Sequence, residues 1–205
     1  MNKLPTIVII GRRNVGKSAL FNRLIEQQKA IVSDIGGTTR DRTEGICLWR
    51  GQEIRIVDTG GLDVGDENTI DREIKKQARF AIKEANLILF LVDARVGPQP
   101  SERALAAELR KAKAPALLIA NKAETEKWRQ AAKDPAWKRL GFGIPDTISA
   151  ITGQGVGDLL DEAFKHLDTT LGKTISSPAP LSGACPRGFL PLPEGELEGV
   201  GGRGG

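Results

Sequence analysis

A glycine-rich segment near the N-terminus combines residue types that bind phosphate. Residues 11–18 read GRRNVGKS and fit the spacing GxxxxGK(S/T). The two glycines allow the backbone to turn its N–H groups towards one anion, the lysine ammonium reaches terminal phosphates, and the serine hydroxyl is a ligand for Mg²⁺. The predicted phosphate-binding residues are Gly11, Asn14, Val15, Gly16, Lys17, Ser18 and Ala19.

A second motif, DTGG at residues 58–61, follows an apolar run about 40 residues after the first. Asp58 is placed to hold the Mg²⁺ shell through water, and Gly60, followed by Gly61, can offer its backbone N–H to a γ-phosphate. Such a site distinguishes a nucleotide that carries a γ-phosphate from one that does not.

The loop GGTTRD at residues 36–41 lies between these two motifs. A threonine in it can close over a nucleotide and complete the coordination of Mg²⁺, and we favour Thr39 over Thr38. The predicted metal ligands are therefore Ser18, Thr39 and Asp58.

A third group of residues is suited to reading a base. Asn121, Lys122 and Glu124 follow a buried apolar run, and the Glu124 carboxylate can accept hydrogen bonds from the N1–H and N2–H₂ of guanine. Adenine has no donor on that edge and would leave the carboxylate unpaired, which disfavours an ATP-dependent enzyme. Ser149 and Ala150 follow the last apolar run and can place a backbone N–H near guanine O6.

These motifs need a scaffold that brings them together, and the chain alternates between two hydrophobic patterns. Amphipathic stretches predict helices at Lys17–Ile25, Thr69–Ala85, Ser101–Lys111 and Gly157–Leu167. Apolar runs bounded by turn residues predict strands at Thr6–Ile10, Gly45–Trp49, Ile54–Val57, Leu87–Val92, Ala116–Ala120 and Thr147–Ser149.

The order of these elements indicates an α/β fold with three layers. Arg50-Gly51-Gln52 predicts a tight hairpin, so we expect a mostly parallel sheet with one antiparallel hairpin and helices on both faces. Ligands bind at the C-terminal ends of the strands in such folds, and the motifs fall there.

Composition narrows the class of protein. Of the 205 residues, 40% are hydrophobic and 27% are charged, which predicts a folded core. No apolar run reaches the roughly 18–20 residues of a membrane span, and the first residues do not resemble a signal peptide, so we expect neither a secreted nor an integral membrane protein. Cys47 and Cys185 form no CxxC pair, which favours a reducing cytosol over a disulfide framework. The net charge of +4 permits a polyanionic partner, although the basic residues show no clustered stripe with interleaved aromatic residues.

The composition changes after Leu171. Fourteen of the 34 residues from 172 to 205 are Gly or Pro. We therefore predict one domain over residues 1–171 and a disordered tail over residues 172–205. The single Arg-Gly-Gly near the end leaves an RNA-binding segment as an alternative for that tail.

The motifs occur in an order and spacing that resembles the Era/EngA-type, translation-factor-like GTPases. Residues 11–24, 39–42 and 58–62 are most similar to the N-terminal G domain of the EngA/Der family, double GTPases of large ribosomal subunit assembly. The resemblance spans about residues 5–171. It implies a P-loop GTPase fold and a cytoplasmic switch that binds GTP and GDP with Mg²⁺, hydrolyses GTP, acts with the large ribosomal subunit or its rRNA, and is monomeric in isolation.

The chain departs from that family's pattern in three ways. Glu124 stands where the family carries Asp, so the carboxylate is one methylene further from the backbone. The second G domain and the C-terminal domain typical of EngA are absent from this sequence, and the tail resembles nothing in the family.

Catalysis cannot follow the Ras pattern, because Leu62 occupies the position of the glutamine that orients the attacking water. In the GTPases that this chain resembles, an asparagine at the position of Asn14 helps to bind K⁺ between the phosphates. The resemblance thus implies Lys17, Thr39 and Asn14 as catalytic residues, with K⁺ as a cofactor beside Mg²⁺. The alternative is that Asn14 only stabilises the turn.

Two other functions compete with a ribosomal GTPase. The first is a GTP- or GDP-binding module without useful turnover, which Leu62 and the missing domains favour. The second is the related GTPase of tRNA modification, which shares most of the motifs.

Overall fold

A six-stranded sheet forms the centre of the protein. The computed structural model describes residues 4–26, 43–60 and 70–171, with side chains of residues 26, 70–74, 170 and 171 excepted. The strands lie in the order β2-β3-β1-β4-β5-β6, and every neighbouring pair is parallel except β2 and β3. Their bounds are β1 Thr6–Ile10, β2 Thr43–Trp49, β3 Gln52–Asp58, β4 Leu87–Asp93, β5 Ala116–Asn121 and β6 Asp146–Thr147.

The central strands are apolar along their whole length because both faces of the sheet are covered. Every residue of β1 and of β4 is buried, as expected for parallel strands between two helical layers. The antiparallel hairpin turns at Arg50 and Gly51, whose φ angles of 49° and 80° are both positive. Two left-handed residues match the twist of a two-residue hairpin.

Helices cover both faces of the sheet. The helices are α1 Lys17–Glu26, α2 Ile70–Glu84, α3 Pro100–Leu109, α4 Glu126–Ala131, α5 Val156–Leu171 and a 3₁₀ helix, Pro135–Leu140. One core cluster contains the apolar residues of α1 and α5, and a second contains those of α2, α3 and the 3₁₀ helix. The predicted three-layer α/β fold is confirmed. Every helix in the described ranges is too short or too polar to cross a membrane.

The structure differs from the sequence-based prediction in several details, among them that β2 begins at Thr43 and α5 ends at Leu171. The last strand ends at Thr147, because the N–H of Ser149 donates to the carbonyl of Gln154 in a turn. The short helices between residues 126 and 140 were not predicted. The second of them begins where the Asp134 carboxylate accepts the N–H of Ala136 at 2.7 Å, and it ends at Gly141, where φ is 86°. The predicted tail, residues 172–205, lies outside the described residues.

The strand register brings the predicted motifs to one edge of the sheet. Ile9 pairs with Asp58 across β1 and β3, and Asp93 pairs with Asn121 across β4 and β5. The carboxyl ends of β1, β3, β4 and β5 therefore lie side by side, with the loops that follow them converging on one site.

Trp137 is the side chain by which the unpredicted 3₁₀ helix joins the core. It is 1% exposed, and its indole N–H donates to the carbonyl of Ala131 at 3.1 Å. We predict that Trp137→Ala lowers the free energy of unfolding by about 3–5 kcal/mol, because it leaves a cavity and removes one of the two hydrogen bonds to the carbonyl of Ala131. Urea denaturation measures this, with the half-buried Trp128→Ala as the control that loses less. A loss below about 1 kcal/mol at Trp137 would contradict the packing described here.

Candidate functional site

The loop between β1 and α1 folds around the ammonium of Lys17. This side chain is 5% exposed, and its Nζ donates to the carbonyls of Gly11 at 2.9 Å and Arg12 at 3.0 Å. Asn14 and Gly16 have φ angles of 63° and 99°, which turn the loop back on itself. The loop thus holds a buried positive charge at the N-terminus of α1, an arrangement suited to a phosphate group.

Glycine is required at two points of this loop by close approach of other segments. A Cβ on Gly11 would lie 2.3 Å from the carbonyl oxygen of Leu91 in β4. A Cβ on Gly16 would lie 2.3 Å from Nδ2 of Asn121. The spacing of the glycines in the motif therefore reflects how tightly the loop packs on β4 and on the end of β5.

The side-chain amide of Asn121 joins two predicted parts of the site. One is the loop between β1 and α1, residues 11–16, called the phosphate loop here, and the other is the pair of loops after β5 and β6, called the base loops. The Nδ2 of Asn121 donates to the carbonyl of Val15 at 2.9 Å, and its Oδ1 accepts the N–H of Ala150 at 2.9 Å. Asn121 is 2% exposed, so both bonds are shielded from water. The N–H of Ala150, which the sequence suggested for guanine O6, is engaged by Asn121 in this structure.

Lys122 makes a second connection between the same loops. Its Nζ donates to the carbonyl of Asn14 and, at 2.8 Å, to Oδ2 of Asp93. Lys122 adopts a left-handed backbone with φ of 65°. Asp93, which is 6% exposed at the end of β4, was not predicted as a site residue. The sequence does mark it, because it is the one acid in an otherwise apolar strand and stands at its carboxyl end.

The predicted metal ligands Ser18 and Asp58 lie together. The Ser18 hydroxyl donates to Oδ2 of Asp58 at 2.7 Å, and the N–H of Gly60 donates to Oδ1 at 2.8 Å. A Cβ on Gly60 would lie 3.1 Å from both Asp58 carboxylate oxygens and 3.2 Å from Ser18 Oγ, so a side chain there would crowd this pair. Thr39 and Gly61 lie outside the described residues.

This pair fits Mg²⁺ bound together with a phosphate. Mg²⁺ prefers oxygen ligands and is commonly held by one or two protein groups, with phosphate oxygens and waters completing its octahedron. Among the described residues no cluster of three or more His, Cys, Asp or Glu side chains could hold a metal ion on its own. Ser18 and Asp58 therefore suit a metal that arrives with its phosphate ligand.

The Glu124 carboxylate is held from two sides. Its Oε2 accepts from Arg95 Nη2 at 2.7 Å, and its Oε1 accepts from the Ser149 hydroxyl at 3.2 Å. Burial raises the pKa of Glu124, but the hydrogen bonds from Arg95, from its own backbone N–H and from Ser149, with the charge of Arg95, together outweigh it, and the pKa lies below its ordinary value. A carboxylate has about four lone-pair positions, so the ionised group keeps capacity for two further donors. Arg95 is a further residue that sequence reasoning missed.

The structure brings the predicted site residues that it describes into one region. Ala19 lies in the first turn of α1, where its half-buried side chain packs against the hydrophobic core, and its role in nucleotide binding stays a prediction. The residues at the shared edge of the sheet are Gly11, Asn14, Val15, Gly16, Lys17, Ser18, Asp58, Gly60, Asn121, Lys122, Glu124, Ser149 and Ala150.

Arg12 of the phosphate loop is half-buried and forms an ion pair with an acid of α3. Its Nε donates to Oε1 of Glu102 at 3.0 Å, and Glu102 is fully buried at the start of α3. The other carboxylate oxygen accepts the N–H of Gln99 at 2.8 Å. Burial raises the pKa of Glu102 above its ordinary value, against the opposing hydrogen bonds from Gln99 and Arg12. This ion pair ties the phosphate loop to α3.

Known proteins are similar to this chain over most of its length. A family profile described as 50S ribosome-binding GTPase matches residues 6–122. The chain is 48% identical over 155 residues to GTPase Der of Bacteroides fragilis, covering 76% of this chain and 35% of that protein. It is 47% identical over 169 residues to GTPase Der of Herpetosiphon aurantiacus, covering 80% of this chain and 37% of that protein. The chain thus spans little more than a third of these relatives' length.

Solved structures show the same fold. The G domain of the T. maritima FeoB iron transporter superimposes with a TM-score of 0.55 at 26% identity, covering 80% of this chain and 99% of that one. The expected P-loop GTPase fold and the resemblance to a G domain of the EngA/Der type are confirmed.

The buried Glu102 predicts a specific pH dependence of stability. Because its pKa is raised in the folded state, the folded protein takes up this proton more readily than the unfolded chain, and the penalty of the buried charge disappears as the pH falls. Wild type should therefore gain stability relative to Glu102→Gln between about pH 8 and about pH 5. Urea denaturation of both proteins across this range measures the difference.

Glu108 on the same helix provides a control of opposite sign. Its pKa is lowered, first by the hydrogen bond from Lys111, so its stabilising contribution is lost as the pH falls through the folded pKa. Wild type should therefore lose stability relative to Glu108→Gln only below about pH 4.3, and between about pH 8 and about pH 5 the difference between these two proteins should stay constant. A wild-type-minus-Glu102→Gln difference that does not change with pH would rule out the buried-charge assignment.

Proposed function

Since this chain belongs to the family of 50S ribosome-binding GTPases, we propose that it binds GTP and GDP with Mg²⁺, hydrolyses GTP and acts as a switch in assembly of the large ribosomal subunit. The observation that carries this proposal is the bridging of the phosphate loop and the base loops by the Asn121 amide. One side chain thereby sets the separation between a phosphate-binding and a base-binding region, as a nucleotide site requires.

At the phosphate end, the proposal assigns each polar group one task. The Lys17 ammonium neutralises the β- and γ-phosphates, exchanging its bonds to the loop carbonyls for bonds to phosphate oxygens. Ser18 and Asp58 hold Mg²⁺, which supplies further positive charge to the phosphates when it is bound. Thr39 completes the metal shell, and Gly60 and Gly61 report the γ-phosphate. Thr39 and Gly61 enter from the sequence alone.

At the base end, the Glu124 carboxylate is proposed to select guanine. Arg95 and Ser149 fix its orientation, which restrains the additional rotatable bond that Glu has compared with Asp. Guanine then presents two donors, N1–H and N2–H₂, to the remaining lone pairs. Adenine presents none, and the desolvated carboxylate would be left without partners on that side. Asn121 and Lys122, at the end of β5 and the start of the loop after it, support the base.

For hydrolysis, water attacks the γ-phosphorus, the bond between that phosphorus and the β–γ bridging oxygen breaks, and GDP and phosphate leave. Lys17 stabilises the negative charge that develops on the bridging oxygen. We propose that Asn14 contributes to a K⁺ site beside it. Asn14 is exposed at the tip of the phosphate loop, and its left-handed backbone is fixed by the Lys122 ammonium on its carbonyl.

The ribosomal partner, the cytoplasmic location and a monomeric state in isolation are parts of the same proposal. The relatives named GTPase Der are matched over 35% to 37% of their length. The proposal therefore concerns the nucleotide-binding portion of such a protein, whose nucleotide state would govern its association with the large subunit.

Guanine selection can be tested at Glu124. Glu124→Ala should weaken GDP binding by about 1.5–3 kcal/mol, or tenfold and more, because two charge-assisted hydrogen bonds are lost. Titration with IDP, which lacks the N2 amino group, should show a smaller loss, and Glu124→Asp should preserve or tighten GDP binding. Equal GDP affinity in wild type and Glu124→Ala would refute this role.

Turnover can be tested by changing the monovalent cation. Without a glutamine after DTGG, intrinsic hydrolysis should be no faster than about 10⁻⁴–10⁻³ s⁻¹. Single-turnover hydrolysis at matched ionic strength should be faster in KCl than in NaCl, and Asn14→Ala should remove that advantage while GDP still binds. Lys17→Ala, which should not bind nucleotide, sets the background. Identical wild-type rates in the two salts would eliminate the K⁺ site.

A further inference from the structure

The exposed side of α2 is uniformly basic over its described side chains. Between residues 75 and 84, the exposed positions are Lys75, Lys76, Arg79 and Lys83. The one acid in that stretch, Glu84, is half-buried. Every position of this helix segment that faces solvent therefore carries a positive charge.

The neighbouring helix α3 and the turn after it continue this basic surface. Between residues 101 and 113 the exposed residues are Arg103, Ala104, Ala107, Arg110, Lys111 and Lys113. Of the two acids there, Glu102 is buried and Glu108 is half-buried. We call the eight exposed residues the basic face: Lys75, Lys76, Arg79, Lys83, Arg103, Arg110, Lys111 and Lys113.

The two helices contribute to one continuous surface. Lys111 Nζ lies 2.8 Å from Oε1 of Glu108. The hydrogen bond from Lys111, together with the charges of Lys111, Lys75 and Arg79, holds the pKa of Glu108 below its ordinary value. Two cations of α2 and one from the turn after α3 therefore lie near one half-buried acid, which leaves a net positive charge at the centre of the face.

Helix α5, on the opposite side of the sheet, is acidic. It carries Asp158, Asp161, Glu162 and Asp168 against a single lysine, Lys165. The described residues thus place an acidic helix on one side of the sheet and the basic face on the other. Such an asymmetry orients a charged partner before contact is made.

We propose that the basic face is a docking surface for the phosphate backbone of RNA. Eight exposed cations on α2, α3 and the turn after α3 match a polymer with one negative charge per nucleotide, and each phosphate contact adds binding energy through counterion release. Small side chains, Ala104 and Ala107, lie between the cations on α3. The choice of RNA among polyanions rests on the proposed ribosomal function.

An acidic membrane is the other polyanion such a surface could meet, and the chemistry of the face disfavours it. Helices that lie on membranes pair their cations with large apolar side chains that enter the lipid. Among the described residues, the exposed large hydrophobic side chains are Leu48, Val96, Ile144 and Ile151, all outside the basic face. The face therefore has cations for phosphate and no apolar group to insert.

The basic face is also connected to the nucleotide site through both of its helices. The N–H of Gly11 donates to Oε1 of Gln77 in α2 at 3.4 Å, and Arg12 pairs with Glu102 in α3. RNA docked on this face would thus rest on the two helices that brace the phosphate loop.

The test compares two triple charge reversals with the same change in net charge. Lys75→Glu/Arg79→Glu/Lys111→Glu alters the centre of the basic face. Lys133→Glu/Lys138→Glu/Lys165→Glu alters exposed lysines outside it. Binding of a fluorescently labelled RNA duplex is measured by anisotropy with GDP present, from about 50 to about 200 mM KCl. Circular dichroism and GDP titration are run on the same samples.

The first variant should lose at least about tenfold in RNA affinity, and the slope of log affinity against log salt should fall by about two to three, one for each phosphate contact removed. The control variant should stay within about threefold of wild type. Equal losses in both variants would reduce the effect to net charge and overturn the proposal. So would wild-type binding to phosphatidylserine vesicles but not to RNA, or to neither. Failure of GDP binding in the wild type would instead refute the proposed nucleotide function and leave the RNA result to be judged separately.

Discussion

The buried amide of Asn121 is the constraint on which the rest of the site depends. Its Nδ2 donates to the carbonyl of Val15 in the phosphate loop, and its Oδ1 accepts the N–H of Ala150 in the loop between β6 and α5. An amide is the one side-chain group of this size that donates at one end and accepts at the other. Both neighbours present backbone groups, so three segments from distant parts of the chain are fixed with a single side chain. Gly16 has a positive φ and no Cβ, so the Asn121 amide can approach its backbone closely.

A chain of charges extends outward from this point along the edge of the sheet. Lys122 pairs with Asp93, the Asp93 carboxylate also accepts the N–H of Arg95, and Arg95 pairs with Glu124. Each group is shared between two neighbours, so the position of one side chain restricts the next. The buried end near Asp93 provides order, and the exposed end at Arg95 leaves the carboxylate of Glu124 open to a ligand. A low local dielectric strengthens the inner pair relative to the outer one.

The sequence was sufficient for the features that local pattern encodes and insufficient for those made by distant partners. The continuous apolar runs of β1 and β4 predicted buried parallel strands, and the glycine spacing of residues 11–18 predicted the phosphate loop. The short helix α4 spans too few turns to show a periodic pattern. The Arg12–Glu102 pair joins residues 90 positions apart, and no local signal marks it.

The basic face could not be recognised from the sequence for a related reason. In the linear sequence its lysines and arginines are interspersed with Glu102 and Glu108, and only burial shows that these acids do not face solvent fully.

Lys122 shows a further consequence of the same architecture, a trade between stability and placement. A residue with a side chain in the left-handed region costs about 1–2 kcal/mol, and glycine would remove that cost. Glycine would also remove the ammonium that joins Asp93 to the carbonyl of Asn14. The unfavourable backbone conformation of Lys122 therefore comes together with an ammonium that holds the end of β4 against the loop between β1 and α1.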